Sequence, residues 1–127
     1  MKISIDLDGV LWHNQAFFRS FMLAMQKEGH QVGILTSHKI IHEFADRALM
    51  EKRDFPCPDF YIGRPKDHKE RTDGLSYAAL KVKAIQEHGI DYHFDDSITE
   101  CIRESLGPDA YKIISIAHRG EEENHFE

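Results

Sequence analysis

Two pairs of acidic residues stand where they could hold a metal ion. Asp6 and Asp8 follow a short apolar run near the start of the sequence, with Gly9 directly after them. Residues two apart in an extended chain project to the same side, and carboxylates that close repel unless a cation or a proton lies between them. Asp95 and Asp96 follow the segment Tyr-His-Phe, where a shared Mg²⁺ with its oxygen ligands would compensate them. An isolated Asp-x-Asp-Gly segment is more often a solvated turn.

Hydroxyl groups and a lysine could hold a phosphate near these carboxylates. Thr36 and Ser37 come directly after Gly-Ile-Leu, and hydroxyls with the N–H groups that open a following helix can hold phosphate oxygens. Ser and Thr are also common helix caps, so this pattern alone is weak. Lys81 lies on a predicted helix, fourteen residues before Asp95. Its charge would offset an anionic nucleophile and a phosphoryl group, although a lone helix lysine is more often solvated.

Strand-like and helical segments alternate along the chain and predict how these residues are placed. Predicted strands cover 2–6, 31–35, 60–62, 91–94 and 112–117, and predicted helices cover 14–28, 40–53, 76–88 and 98–106. Such alternation implies right-handed crossovers and a parallel sheet with helices on both faces. Ligand sites in these sheets lie outside the carboxyl ends of the strands, where the acidic residues and hydroxyls stand. We therefore predict an α/β fold with a five-stranded, mostly parallel sheet.

Length and composition limit the class of protein. The 127 residues are enough for one domain, and the formal charge of −6 argues against a nucleic-acid partner. No apolar run approaches the roughly 18 residues of a membrane helix, and early acidic residues interrupt any leader peptide. Cys57 and Cys101 show no metal-type spacing, which suits a reduced cytoplasm. We predict one cytoplasmic domain over 1–118 and an acidic, solvated tail over 119–127.

Taken in order, the four signals resemble the motif series of the haloacid dehalogenase-like (HAD) hydrolases. The series consists of Asp-x-Asp-Gly-Val-Leu from Asp6, an apolar-Thr-Ser segment ending at Ser37, the lysine Lys81 and an apolar-Asp-Asp segment ending at Asp96. The resemblance extends from Asp6 to about Ser97. It implies a three-layer, Rossmann-like fold of the HAD type.

The resemblance assigns catalytic roles to the first acidic pair. Asp6 matches the family's nucleophile, which attacks phosphorus and forms an aspartyl-phosphate that water then hydrolyses. Asp8 matches the general acid/base, which protonates the leaving oxygen and later deprotonates the attacking water. The haloalkanoate dehalogenases of the family lack this second aspartate. Its presence therefore favours phosphoryl transfer over carbon–halogen cleavage.

The second and third motifs imply the groups that bind the phosphate. Thr36, followed by Ser37, matches the phosphate-binding hydroxyl of the family's second motif. Lys81 matches the lysine of the third motif. Lys83 and Lys66 are alternative candidates for that lysine, and periodicity alone does not exclude them.

The fourth motif implies the metal ligands. Mg²⁺ would be held by Asp6, by the backbone carbonyl of Asp8 and by Asp96. The common family form is Gly-Asp with another Asp four residues later, whereas here Asp95 replaces the glycine and Glu100 the later aspartate. This looks like the variant found in some family nucleotidases. Asp95 would then either lie behind the ligands or reach Mg²⁺ through a water.

The gaps between the motifs leave no room for a cap domain, which most HAD members insert over the site. Between Asp8 and Thr36 there are 27 residues, and between Thr36 and Lys81 there are 44. Predicted strands, helices and one loop account for these gaps. The chain therefore resembles capless members, whose sites are open or are covered by a neighbouring subunit of a homo-oligomer. An open site suits an accessible phosphate on a macromolecule, and a covered one suits a small metabolite.

Three further features have weaker interpretations. The polar segment 64–74 could guide an anionic substrate, but a solvated loop is the more common role. Trp12 could line the mouth of the pocket or pack against a helix. His38 and His42 lie one helical turn apart and could chelate a metal, but without a third ligand we predict a surface pair.

The sequence thus predicts a Mg²⁺-dependent phosphomonoester hydrolase that acts through an aspartyl-phosphate. Its substrate would be a phosphorylated small molecule or macromolecule, without a membrane partner. The first alternative is an enzyme like a 5′-nucleotidase that acts on nucleoside monophosphates, suggested by Asp95 and Asp96. The second is a non-catalytic module that binds phosphate or metal on the same scaffold.

Overall fold

The computed structural model describes residues 1–67, 77–96 and 106–116. These residues form a five-stranded sheet with the strand order β3-β2-β1-β4-β5. The strands are β1 (Lys2–Ile5), β2 (Gln31–Lys39), β3 (Tyr61–Arg64), β4 (Tyr92–Asp95) and β5 (Ile113–Ser115). All four neighbouring pairs are parallel. The predicted α/β class and five-stranded sheet are confirmed, and the sheet is entirely rather than mostly parallel.

Three α-helices connect the described strands. They are α1 (Gln15–Lys27), α2 (Glu43–Lys52) and α3 (Tyr77–Glu87). Shorter helical turns cover Leu7–Leu11, Ile40–His42 and Gly107–Lys112. Gly29 has φ +92° and follows the end of α1, a conformation that glycine adopts without steric cost.

Two hydrophobic cores lie on opposite faces of the sheet. Ile34 of β2 belongs to one core, together with residues of α1 and α2 that include Phe18, Met22 and Met50. Leu35, the next residue, belongs to the other core with residues of α3 that include Val82 and Ile85. Because successive strand residues point to opposite faces, α1 and α2 cover one face and α3 covers the other.

The strand order changes direction at β1, and this places the site. The chain goes from β1 outward to β2 and β3, and then returns to the other side of β1 for β4 and β5. Ile5 of β1 pairs with Ile34 on one side and with Phe94 on the other. Ligands of open parallel sheets bind at such a switch point, outside the carboxyl ends of the strands. In this sheet, the switch point therefore lies at the carboxyl ends of β1 and β4.

The second strand is longer than the sequence predicts. It continues past Leu35 to Lys39, which pairs with Arg64 of β3 after a register irregularity. Thr36 and Ser37 therefore lie inside the strand instead of at its carboxyl end as predicted. The α-helix that follows begins at Glu43 instead of residue 40, because Ile40–His42 forms a tighter turn. Pairing with β3 decides this boundary, and local sequence does not report it.

Some predicted features lie outside the described residues. These are the acidic tail over 119–127, almost all of the helix predicted over 98–106, and residues 68–74 of the polar segment. Among the helices that the structure describes, none combines the length and apolarity needed to cross a bilayer.

Candidate functional site

A sharp turn after β1 separates the environments of the first two aspartates. The strand ends at Ile5, and the chain turns through Gly9, whose φ is +77°. The N–H of Leu11 donates back to the carbonyl of Asp6 at 3.2 Å. Asp6 is 7% exposed, whereas the Asp8 side chain is 51% exposed. The alternation of an extended strand therefore does not extend to Asp8, contrary to the prediction from residue spacing.

Three carboxylates converge at the switch point of the sheet. One carboxylate oxygen each from Asp6, Asp95 and Asp96 lie within 4.8 Å of one another. The register causes this: the Asp6 N–H donates to the Phe94 carbonyl at 3.1 Å, which sets Asp6 beside the end of β4. Carboxylate oxygens are the ligands that Mg²⁺ prefers. The cluster fits the metal that the sequence suggests.

Lys81 extends from α3 into this acidic cluster. Its Nζ lies 2.7 Å from Asp95 Oδ2 and 3.3 Å from Asp6 Oδ2. Burial lowers the pKa of Lys81, but Asp6 and Asp95 outweigh burial and raise it, so the ammonium keeps its charge. One ammonium does not balance three carboxylates, and a divalent cation would neutralise the remaining formal charge.

The pKa of Asp6 reflects the same surplus of negative charge. Burial, together with the negative charges of Asp95 and Asp96, raises the pKa of Asp6 from an ordinary 3.8 to about 7, although Lys81 opposes this rise. A cation bound beside Asp6 would favour the ionised carboxylate. Metal binding would therefore produce the charge state that a nucleophile needs.

A buried histidine and a serine support Asp95 from behind. His93 Nε2 lies 2.8 Å from Asp95 Oδ2, and Ser4 Oγ lies 2.7 Å from His93 Nδ1. Burial lowers the pKa of His93, so we assign a neutral ring that donates to Asp95 and accepts from Ser4. Burial would raise the pKa of Asp95, but His93 and Lys81 hold it below its usual range.

The predicted phosphate-binding residues share one cavity. Thr36, Ser37 and Lys81 line a cavity of about 190 Å³, together with Arg64 and Tyr77. Arg64 Nε donates to the Ser37 carbonyl at 3.0 Å, and its guanidinium lies 4.6 Å from the centre of the Tyr77 ring. The cavity therefore combines hydroxyl, ammonium and guanidinium groups, which suit an anionic ligand.

The structure distinguishes the three candidate lysines by position. Lys81 is buried and contacts Asp6. Lys83 lines the same cavity, but its side chain is 60% exposed and lies 3.8 Å from Glu87. Lys66 is exposed. Of these three, Lys81 is the one placed between the predicted nucleophile and the acidic pair.

The Asp8 carboxylate lies against a histidine that the sequence did not single out for this role. His38 Nε2 is 2.6 Å from Asp8 Oδ2, and His38 Nδ1 is 2.9 Å from Asp46 Oδ2. Hydrogen bonds to Asp46 and then Asp8 raise the pKa of His38 to about 10. The rings of His38 and His42 do lie side by side as predicted, 6.5 Å apart, but His38 belongs to β2 instead of a helix and also contacts Asp8 and Asp46. No sequence pattern links His38 to Asp46, because tertiary packing brings them together.

Comparisons of the chain with protein-family models, with curated proteins and with solved structures found no match. The site is therefore interpreted from its own geometry. That geometry provides a buried carboxylate, a lysine beside it, a cluster of oxygen ligands and a half-exposed second carboxylate. Such a set can hold a hard cation and a phosphate together.

Two roles were predicted for Trp12, and the structure shows that its ring packs in the core. It is 1% exposed, and its ring meets Phe55 edge-on with centroids 5.8 Å apart. The aromatic residue at the cavity is instead Tyr77, which the sequence did not single out. It lies three residues after the end of the polar segment 64–74.

Proposed function

We propose that this protein is a Mg²⁺-dependent phosphomonoester hydrolase of the HAD type. The observation that carries the proposal is the buried contact of Lys81 with both Asp6 and Asp95 at the carboxyl ends of β1 and β4. In this proposal, three groups lie together at the carboxyl ends of β1 and β4. They are the nucleophile Asp6, the acidic cluster that would bind the metal, and the Lys81 ammonium that would contact the phosphoryl group. The order of the motifs in the sequence supports the same reaction class.

The reaction would proceed in two displacements. Asp6 attacks phosphorus, forming an oxygen–phosphorus bond as the ester bond breaks, and Asp8 gives its proton to the leaving oxygen. Water then attacks the phosphorus of the aspartyl-phosphate and transfers a proton to Asp8. This step releases inorganic phosphate and restores the Asp6 carboxylate.

The remaining groups would bind and orient. Lys81 and Thr36 hold phosphoryl oxygens, and Lys81 also fixes Asp6 by their mutual contact. Mg²⁺, when bound by Asp6, Asp96 and the backbone carbonyl of Asp8, supplies positive charge that favours an anionic transition state. Asp95 contacts Lys81 at 2.7 Å, so its role in the proposal is to position that lysine and to add negative charge near the metal.

The proposed enzyme is capless and cytoplasmic, with a three-layer, Rossmann-like fold of the HAD type. The short gaps between the motifs support the lack of a cap, and the sparse cysteines support the compartment. An uncapped site would accept a small phosphoester or an exposed phosphate of a macromolecule. A second copy of the chain could cover it.

A second candidate function is hydrolysis of nucleoside monophosphates. The observation that favours it is Tyr77, which is 39% exposed and lines the cavity that contains Thr36 and Lys81. An aromatic ring near a phosphate site can stack on a base. The acidic pair of Asp95 and Asp96, as in some family nucleotidases, points in the same direction.

The test is turnover of a panel of phosphomonoesters, including nucleoside monophosphates, with Mg²⁺ and with chelator. We expect Mg²⁺-dependent release of phosphate, lost to the assay background in Asp6→Asn and kept in Asp109→Asn, a control at a half-exposed aspartate outside the acidic cluster. Turnover of nucleotides alone would favour the second candidate. No turnover of any ester by the wild type would favour a non-catalytic binding module, and full activity of Asp6→Asn would reject the nucleophile.

A further inference from the structure

We propose that His38, anchored by Asp46 and Tyr61, positions the Asp8 carboxylate for proton transfer to the leaving oxygen. The inference rests on the proposed function and adds a positioning residue to it. His38 does not touch the reacting atoms in this scheme. It acts through Asp8.

Four side chains from four segments form a continuous hydrogen-bonded series. Tyr61 Oη of β3 donates to Asp46 Oδ2 of α2 at 2.5 Å. His38 of β2 contacts the same Oδ2 through Nδ1 at 2.9 Å, and Asp8 Oδ2 through Nε2 at 2.6 Å. An imidazole between two carboxylates donates from both nitrogens.

Exposure increases along the series from its anchor to Asp8. The side chains of Asp46, His38 and Asp8 are 14%, 29% and 51% exposed. Asp46, the least exposed of these three side chains, has little freedom to move. Asp8 is half exposed, and without its contact to His38 its side chain would sample several rotamers. Because a general acid must stay within hydrogen-bond reach of its target, restraint of Asp8 has a direct use.

The series is also connected to the proposed phosphate site. His38 lies two residues after Thr36, and its backbone N–H donates to Thr36 Oγ1 at 3.2 Å. The extended end of β2 therefore carries both the phosphate-binding hydroxyl and the imidazole that holds Asp8. With Oδ2 of Asp8 held by His38, Oδ1 is the oxygen that would carry and transfer the proton.

The kinetic test compares leaving groups. An alkyl phosphate needs protonation of its leaving oxygen, whereas p-nitrophenyl phosphate releases a stable phenolate. We expect His38→Gln to lower kcat/KM for the alkyl ester by about 10-fold or more, part of the roughly 10²–10⁴-fold that general acid catalysis contributes. The value for p-nitrophenyl phosphate should change by less than about 2-fold. His42→Gln, at the exposed neighbouring histidine, should change neither.

Two further variants test the anchor with less disturbance of His38. Asp46→Asn and Tyr61→Phe should show the same leaving-group bias, weaker for Tyr61→Phe because only one hydrogen bond is removed. An equal loss for both substrates in all three variants would indicate a structural role and overturn the inference. His38→Gln kinetics that match those of His42→Gln would overturn it as well.

A second measurement reads the contact without any activity. At one fixed pH, the NMR signal of the His38 Nε2 proton should exchange slowly with water in the wild type and faster in Asp8→Ala, because the carboxylate that accepts this proton is removed. The same exchange of the Nε2 proton in both proteins would overturn the inference. An active wild type whose leaving-group bias is unaffected by His38→Gln rejects this inference alone, whereas a wild type that turns over no ester rejects the proposed function with it.

Discussion

At the scale of single residues, three aspartates of the site differ because their surroundings differ. Burial and like charges raise the pKa of Asp6 to about 7. Asp95 is also buried, but hydrogen bonds from His93 and Lys81 hold its pKa below the usual range. Asp8 is half exposed and lies against His38. In the proposed reaction, one residue type therefore serves as nucleophile, as lysine anchor and as proton carrier.

The raised pKa of Asp6 predicts a pH-dependent loss of stability in metal-free buffer. The unfolded chain loses this proton near pH 3.8, whereas the folded protein keeps it until about pH 7. Between these values the folded state binds more protons, so the free energy of unfolding falls as the pH rises. The side chain at position 6 of Asp6→Asn cannot ionise. The free energy of unfolding of this variant should therefore lack the pH dependence that Asp6 causes.

The measurement is urea unfolding of both proteins between pH 4 and pH 8 in the presence of a chelator. The free energy of unfolding of the wild type, relative to that of Asp6→Asn, should decrease as the pH rises from 4. Most of this decrease should occur below about pH 7, the pKa of Asp6 in the folded protein. Asp109→Asn should follow the wild type. Parallel curves for wild type and Asp6→Asn would mean that Asp6 has an ordinary pKa in the folded protein.

At the scale of elements, the site depends on which strands are neighbours. The parallel pairing of β1 with β4 sets Asp6 beside Asp95, although 88 residues lie between them in the sequence. Helix α3 packs on the same face toward which Ser4, Asp6 and Asp95 point, and it carries Lys81 to both carboxylates. The register of β1 and β4 therefore places Asp6 beside Asp95, and the crossover through α3 places Lys81 beside both.

The turn after β1 makes a prediction at this scale. Gly9 has φ +77°, which an alanine adopts at a cost of about 1–2 kcal/mol. We expect Gly9→Ala to lose about that much stability and to lower kcat/KM by roughly 10²-fold, because the turn places both Asp6 and Asp8. Urea unfolding and phosphatase kinetics measure the two effects.

Gly29→Ala is a matched control for that variant. Gly29 also has a positive φ, +92°, and an added Cβ would meet nothing within 4 Å. Gly29 lies between α1 and the start of β2. It is therefore near the amino ends of the strands, away from the carboxyl end of β1. It should lose stability but keep kcat/KM, and an equal loss of activity in both variants would mean that strain alone is responsible.

At the scale of the whole molecule, negative charge is concentrated where the sheet changes direction. The chain carries a formal charge of −6, and the cluster of Asp6, Asp95 and Asp96 is balanced in part by Lys81. Buried carboxylates without full compensation reduce the stability of a fold. A bound divalent cation would therefore stabilise the protein as well as activate it.

We predict that Mg²⁺ raises the melting temperature. At about 100 times Kd, binding to the folded state adds about 2.7 kcal/mol, which corresponds to a rise of roughly 10 °C for a domain of 127 residues. The rise should be reduced in Asp96→Asn and kept in Asp109→Asn. NaCl at equal ionic strength is the control for screening, and an equal rise with NaCl would contradict a specific site.

Much of the fold could be predicted because local patterns encode it. The alternation of apolar and polar residues places α1 and β1 within one or two residues of their observed bounds. The end of β2 could not be predicted, since its last residues are held by pairing with Arg64 of β3. His93 could have been noticed, because it lies two residues before Asp95 and so projects to the same face. His38 offered no such pattern.

By itself, the sequence determined the class of fold and the residue types available at each strand end, because periodicity and glycine positions act over a few residues. Only the tertiary structure decided that Lys81 lies between Asp6 and Asp95, and that Asp8 contacts His38 instead of sharing the environment of Asp6. Those contacts depend on strand register, on the turn at Gly9 and on the packing of α3. Distances between residues that are far apart in the sequence are fixed only when the chain has folded.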